Sequence, residues 1–208
     1  MNTLKGTKSV TKGSLTVLRG LAIAGTAMAL GTSNAFAHAG PPHLHSMAEG
    51  FAHPFTGLDH LLAMLAVGLW AGLNGGRALW AWPAAFVALM LAGAGLGLAH
   101  IALPLVETGI LASVVLLGLA VAAALRAPAV IGALVIGAFA LLHGYAHGAE
   151  LPAGASVAGY ITGFALATAL LHSIGVTAAV VAGQGRARVA VRALGALVLV
   201  AGVALAIH

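Results

Sequence analysis

Six long apolar stretches follow one another along the chain, and polar or turn-forming residues separate them. Their lengths are close to the roughly 20 residues that an α-helix needs to cross the hydrocarbon core of a bilayer. Glycine, proline, asparagine and arginine interrupt them, as expected of turns. The pattern predicts an all-α protein, a polytopic membrane helical bundle with six transmembrane helices over residues 58–208. The predicted spans are 58–74, 78–100, 107–125, 129–147, 156–182 and 189–207.

Residues 1–37 have the pattern of a secretory signal peptide. Three lysines and one arginine precede a short apolar run, and Ala35 and Ala37 are small residues at the two positions that a signal peptidase reads. We therefore expect cleavage after Ala37 and a mature chain that starts at His38. Residues 38–57 would then form a histidine-containing periplasmic leader. A retained first helix is the alternative, although the apolar run is short for a span.

Composition and charge support a membrane protein. The chain is 61% hydrophobic and 6% charged and has no cysteine, which excludes an ordinary soluble domain, a coiled coil and a disulfide scaffold. Four of the nine basic residues would leave with the signal peptide. If the mature N-terminus lies outside, all remaining arginines fall on cytoplasmic connections, as the positive-inside rule requires, and both termini are periplasmic. The net charge of +5 therefore predicts no nucleic-acid surface. These arginines are Arg77, Arg126, Arg186, Arg188 and Arg192.

With that topology, nine of the ten histidines map to the outer side, and only His172 lies deeper in a span. Ionisable groups are costly inside a membrane and often mark ion or substrate paths. Imidazoles clustered with carboxylates, in a chain without thiols, suit a borderline divalent metal such as nickel, cobalt or zinc. The histidine distribution therefore indicates a metal site near the outer surface.

The strongest candidate motif lies near the outer end of the fourth span. His143, His147 and Glu150 have the spacing i, i+4 and i+7, which places them along one face of a helix. Both imidazoles, and Glu150 with them, could approach one ion. Two interfacial histidines that hydrogen-bond to neighbouring helices, with Glu150 an ordinary surface carboxylate, are the alternative.

A second motif, with His53, Asp59 and His60, precedes the first span. In one continuous helix His53 and His60 would lie about 10 Å apart along the axis, too far to share an ion. Gly57 offers a position where the chain can leave the helix and fold His53 back. Asp59 is either a ligand or a group that caps the helix N-terminus and complements its dipole.

The remaining histidines have weaker cases. Cleavage would leave the free amine of His38 beside its own imidazole, which makes a chelate once the amine is deprotonated. His43 and His45 are either further ligands or incidental residues of a flexible leader. His172, with Thr168 one turn before it, is either an inner way-station or a histidine hydrogen-bonded inside the bundle.

Three segments together, residues 53–71, 143–152 and 163–172, closely resemble the HupE/UreJ family. The resemblance covers essentially the whole mature chain. It implies a bacterial inner-membrane protein associated with urease or hydrogenase maturation and regarded as a nickel permease, with some members assigned to cobalt. The residues that it implies for transport are His53, Asp59, His60 and Glu150, with His143, His147 and His172 as further candidates.

We therefore expect a secondary, non-ATP permease for a divalent cation, Ni²⁺ or else Co²⁺, which is transported cargo and not a prosthetic group. The chain has no G-x-x-x-x-G-K-[ST] phosphate loop, so it carries no nucleotide motor of its own. Expected partners are the lipid bilayer and the metal, with no nucleic acid. An oligomer, or handover to a cytoplasmic metallochaperone, is a further expectation.

Two other functions remain open. An intramembrane zinc hydrolase would hold its metal with His143 and His147, but Gly144 stands where an H-E-x-x-H enzyme has its glutamate. A periplasmic metal-binding or structural partner of a larger complex would need little beyond the leader histidines. The permease is the function that we predict, and we expect no enzymatic activity.

Overall fold

The computed structural model describes residues 42–151, 154–183 and 185–207, and every regular element in this part is an α-helix. The all-α prediction is therefore confirmed. The predicted signal peptide, His38 and His208 lie outside the described residues. The helices are α1 (Pro42–Thr56), α2 (Leu58–Asn74), α3 (Ala78–Leu98), α4 (Val106–Ala122), α5 (Ala129–Ala149), α6 (Val157–Ala182) and α7 (Arg186–Ala206).

Four of these helices, α3, α5, α6 and α7, are long and apolar enough to cross a membrane. Helices α1 and α2 are bent by 83° at their junction and add a fifth candidate if the bent pair counts as one span. Helix α4 is apolar but has only 17 residues, at the lower end of the spanning range. The chain is thus a membrane protein, while the count of six spans stays a prediction.

Helix α1 occupies the segment that we expected to be a leader. Pro42 is its first residue, a position where the missing N–H of proline costs no hydrogen bond. The helix packs along α6, and two glycines make the approach close. Gly50 lies against the backbone of Tyr160, and Gly163 lies against the backbone of Met47. A side chain at either glycine would collide with the neighbouring helix.

Helices α3 and α5 form the most extensive helix pair of the described bundle. Gly93 and Gly97 of α3 face the α5 backbone, while Gly144 and Gly148 of α5 face the α3 backbone at Met90 and Ala94. Small residues four positions apart let two helices approach within backbone contact, which is how membrane helices gain packing energy without a hydrophobic driving force. This pairing fixes the position of α5 along the axis of α3.

The end of the bundle at which α2 ends and α3 begins is held together around Asn74. Its amide nitrogen donates to the carbonyl oxygen of Leu125, and its side-chain oxygen accepts from the backbone nitrogen of Ala127. Arg126 donates to the carbonyl oxygen of Asn74, and Arg192 to that of Ala122. Arg126 of the α4–α5 connection and Arg192 of α7 therefore lie at one end of the bundle, and Arg126 also lines an open groove of about 290 Å³ there.

Candidate metal site

The site begins at the bend between α1 and α2. Helix α1 ends at Thr56, Gly57 has an extended conformation, and α2 starts at Leu58. The bend brings the ring centres of His53 and His60 to 6.2 Å from each other. A continuous helix would hold these rings about 10 Å apart along its axis. The break at Gly57 therefore brings the two histidines of this motif together.

Helix α5 brings two further histidines to the bend. The ring centre of His147 lies 4.8 Å from that of His53 and 4.6 Å from that of His60, and the rings of His60 and His143 are 5.1 Å apart. We call these four residues, His53, His60, His143 and His147, the outer histidine cluster. Three separate helices contribute to it.

The ring spacings suit shared coordination of one ion. Metal–nitrogen bonds of about 2 Å, at ligand angles of roughly 90 to 110°, place the centres of two imidazole rings about 5 Å apart. Three of the four distances in the cluster are close to this value. Within the described part of the chain, however, no three His, Asp or Glu side chains have their donor atoms already in metal-binding positions. The rings have to turn before their nitrogens converge on an ion.

Asp59 fixes the ring of His60. Its Oδ1 lies 2.8 Å from His60 Nδ1 and also accepts the backbone N–H of His60, 2.8 Å away. Since a carboxylate accepts hydrogen bonds, Nδ1 carries the proton and Nε2 of the neutral ring keeps its lone pair. His60 Nε2 is buried and has no hydrogen-bond partner. This is the arrangement by which carboxylates orient histidine ligands in metal sites.

His143 is held in the same tautomer by its own helix. Its Nδ1 lies 2.9 Å from the carbonyl oxygen of Phe139, one turn earlier, so Nδ1 donates and Nε2 keeps the lone pair. Nε2 of His143 and both ring nitrogens of His147 are buried without a partner. A buried polar group left unpaired costs about 1 to 3 kcal/mol. Binding an ion would offset that cost.

Aromatic side chains enclose the cluster. Phe164 of α6 packs on His147 with ring centres 3.8 Å apart, and Tyr160 lies 5.9 Å from His53. Below the cluster, Phe86 of α3 contacts the ring of His143 at 5.7 Å. These rings exclude water from the inner side of the cluster, which strengthens the interaction between an ion and its ligands.

His172 lies deeper in the bundle than the outer histidine cluster. Its ring centre is 4.8 Å from that of Phe86, which also contacts His143, and both of its nitrogens are buried without a partner among the described residues. Thr168, one turn earlier on α6, directs its hydroxyl towards the sulfur atoms of Met64 and Met90. The alternative of a hydrogen-bonded structural histidine is therefore not the arrangement in this structure.

The other candidate residues lie at the edge of the site or away from it. Glu150 follows the last residue of α5, is exposed, and interacts electrostatically with His53. His100 is exposed at the end of α3 and has a positive φ of 54°. Of the leader histidines, His43 and His45 lie in α1, and His38 lies outside the described residues.

The uncharged side chains that surround the site could not be identified from the sequence. Phe86 and Phe164 contact histidine rings, and Met64 and Met90 contact Thr168, yet each is an ordinary buried apolar residue of an apolar span. One weak signal exists for Met64, which follows His60 by four residues and so shares its face of α2. No local signal marks Met90, because its position depends on the packing of α3 against α5.

The chain matches the family model described as HupE / UreJ protein over residues 26–205. Among curated proteins, Protein HupE of Rhizobium leguminosarum bv. viciae is 46% identical over 173 residues, which cover 83% of this chain and 90% of that protein. No solved structure matches the chain.

Proposed function

The chain belongs to the HupE/UreJ family, and on that premise we propose that it is a secondary permease that takes up a divalent transition-metal cation, Ni²⁺ or else Co²⁺. Family members are known as membrane proteins related to nickel and cobalt transport. The single observation that carries the proposal is the outer histidine cluster, in which imidazoles from three helices meet with buried, unpartnered nitrogens.

In this proposal His60 and His143 bind the ion through Nε2, because their Nδ1 atoms are engaged by Asp59 and Phe139. His147 supplies a third imidazole from the turn of α5 after His143. Asp59 acts by holding His60 in position and by placing a negative charge beside the cation. A site of neutral imidazoles with one nearby carboxylate suits a borderline divalent metal better than Ca²⁺ or Mg²⁺, which prefer oxygen ligands.

His53 and Glu150 form the mouth of the proposed site. His53 is partly buried, Glu150 is exposed, and the two interact with each other electrostatically. An ion arriving from outside would meet these groups first and would then pass to the buried imidazoles. His172 would receive the ion next. His38, if cleavage exposes its amine, would add a ligand ahead of the mouth.

The membrane potential is a sufficient driving force for this uptake. A divalent cation that enters down an inside-negative potential gains about 4.6 kcal/mol per 100 mV, twice the figure for a single charge. The proposal places the protein in the bacterial inner membrane with both termini in the periplasm. Handover to a metallochaperone on the cytoplasmic side would follow release, and an oligomer is compatible with the same route.

The packing of α5 argues against the zinc hydrolase. Gly144 lies directly against the backbone of Met90, so even a Cβ atom at this position would collide with α3. The catalytic glutamate of an H-E-x-x-H motif would occupy this position. No observation in the described residues favours the periplasmic structural partner over the permease.

Uptake of radioactive Ni²⁺ into proteoliposomes tests the proposal. We expect the wild-type protein to load vesicles faster when an inside-negative potential is applied, and His60→Ala and His147→Ala to lower the rate about tenfold or more. His100→Ala is the matched control, since this histidine is exposed and lies outside the cluster. Wild-type uptake no faster than that of protein-free vesicles would contradict the permease. Equal rates in all variants would contradict the site.

A further inference from the structure

Three buried donor atoms converge between the outer histidine cluster and His172. The hydroxyl oxygen of Thr168 lies 3.5 Å from the sulfur of Met64 and 3.7 Å from the sulfur of Met90. Thr168 and Met64 are fully buried, and Met90 is 1% exposed. Each residue comes from a different helix, so the convergence results from the tertiary packing.

These atoms lie on the route that an ion would take inward. Met64 is one turn beyond His60 on α2, and Met90 is one turn from Phe86 on α3. Met90 also contacts Gly144, the neighbour of His143, through its backbone. Thr168 precedes His172 by four residues, about 6 Å along the axis of α6. The two sulfurs meet at Thr168, which lies between His172 and Phe164 along α6, and Phe164 packs on His147 of the cluster.

We infer that Met64, Met90, Thr168 and His172 form a second, inner site that binds the divalent cation weakly during its passage. The inference rests on the proposed function and extends it. His172 supplies an imidazole whose two nitrogens are buried without a partner. The methionines supply neutral thioethers as ligands. The threonine hydroxyl has one proton, so it donates to one sulfur at a time and thereby orients the two methionine side chains.

The chemistry of these donors suits a passing ion. Thioethers are soft ligands that prefer Cu(I), so their bonds to Ni²⁺ or Co²⁺ are weaker than those of imidazoles. A transport site has to bind well enough to admit the ion and weakly enough to release it. A wholly apolar segment between the cluster and His172 would instead leave a divalent charge without any ligand. The competing explanation is that both methionines only fill space in the core.

The two explanations differ for substitutions that keep the volume. Met64→Leu combined with Met90→Leu preserves the packing and removes both sulfurs, and such swaps usually cost less than about 1.5 kcal/mol. Met47→Leu is the matched control, because Met47 belongs to α1 and has no contact with Thr168 among the described hydrogen bonds. Thr168→Val removes the hydroxyl at nearly constant shape, and Thr168→Ser restores it.

The measurement is the initial rate of Ni²⁺ uptake into proteoliposomes over a range of external concentrations. We expect the double variant to lose at least about tenfold in maximal rate, with a KM for external Ni²⁺ within about twofold of wild type, since the outer site is intact. Thr168→Val should lose part of the rate and Thr168→Ser should recover it. Thermal unfolding in detergent verifies that each variant is folded.

The outcomes separate the inference from the function on which it rests. If wild type transports and the folded double variant transports at the rate of Met47→Leu, the inner site is overturned and the permease stands. A raised KM at an unchanged maximal rate would assign the methionines to the outer site and would also overturn the inference. If wild type does not transport, the permease and the inner site are both overturned.

Discussion

Two histidines of the outer cluster are held ready for a metal by a hydrogen bond to one ring nitrogen. Asp59 orients His60, and the carbonyl oxygen of Phe139 orients His143. In both rings the engaged atom is Nδ1, so Nε2 is the available donor. His147 and His172 have no such partner among the described residues. The cluster therefore contains two ligands oriented by a hydrogen bond, His60 and His143, and a third, His147, whose ring no hydrogen bond orients among the described residues.

The role of Asp59 leads to a prediction for Asp59→Asn. Asparagine keeps an acceptor for the backbone N–H of His60 but removes the negative charge beside the cation and weakens the orientation of the ring. Loss of such an orienting carboxylate typically lowers metal affinity about 10- to 100-fold. We expect the KM of Ni²⁺ uptake to rise by that factor, with a smaller change in maximal rate.

Glu49→Gln is the control for this measurement, since it removes a carboxylate charge from an exposed position of α1. Asp59→Glu retains the charge and should recover part of the affinity. If Asp59→Asn shows the same KM as Glu49→Gln, the carboxylate of Asp59 does not support the site. Asp59 would then contribute only as a negative charge that complements the helix dipole at the N-terminus of α2.

The histidine pair on α5 could be predicted from sequence because an i, i+4 spacing fixes a shared face. The approach of His53 to His60 could be predicted only in part. Gly57 marks where a helix can break, but the bend of 83° depends on the packing of α1 against α6. Phe86 and Met90 could not be predicted, because nothing local distinguishes them from lipid-facing residues, and Met64 is marked only by its spacing of four residues from His60.

At the level of helices, the contact between α3 and α5 determines where His143 and His147 lie. Gly93 and Gly97 have the four-residue spacing that lets membrane helices pack closely, but the spacing does not say which helix they meet. In the structure they meet α5, whose own glycines, Gly144 and Gly148, alternate with the two histidines. The same helix thus presents histidines towards α2 and glycines towards α3.

This packing predicts that Gly144→Ala destabilises the protein. The new Cβ would collide with the backbone of Met90, which cannot move aside as a flexible side chain could. Inserting an atom into a close-packed interface costs about 1 to 3 kcal/mol. We expect a lower midpoint of thermal unfolding in detergent, together with weaker metal binding, because the shift also moves His143 and His147.

Gly95→Ala provides the comparison on the facing helix. A Cβ at Gly95 has no neighbour within 4 Å, and alanine is favoured over glycine in a helix by about 1 kcal/mol. We therefore expect Gly95→Ala to leave the unfolding midpoint unchanged or to raise it. If Gly144→Ala unfolds at the same temperature as Gly95→Ala, the close contact between α3 and α5 is not maintained in the protein.

Helix α1 shows why the leader could not be recognised as a helix from hydropathy. Polar and apolar residues are mixed along it, so no long apolar stretch marks it. Its stability comes instead from contact with α6, where glycines of both helices permit backbone approach. A segment of this kind is recognised from its packing, whereas the longer apolar helices are recognised from composition alone.

Across the described bundle, charged residues are divided between its two ends. All four acidic residues of the chain lie near the end that carries the outer histidine cluster. The arginines with described contacts lie at the opposite end, where they donate to backbone carbonyl oxygens of helix termini. From the positive-inside rule we expect the end with the histidines to face the periplasm. The acidic residues are Glu49, Asp59, Glu107 and Glu150.

This orientation predicts which loops an impermeant reagent reaches. The chain has no cysteine, so each substitution introduces a single thiol. Ile101 lies between α3 and α4 at the histidine end and is 50% exposed, and Leu125 lies between α4 and α5 at the arginine end and is 47% exposed. A membrane-impermeant maleimide applied to intact spheroplasts should label Ile101→Cys and leave Leu125→Cys unlabelled until the membrane is permeabilised.

The reverse labelling pattern would place the outer histidine cluster on the cytoplasmic side. A metal ion would then enter the protein from the cytoplasm, and the protein would be an exporter and not an uptake permease. Labelling of both thiols in intact spheroplasts would contradict a membrane between the two loops, and with it the spanning arrangement on which uptake through the bundle depends.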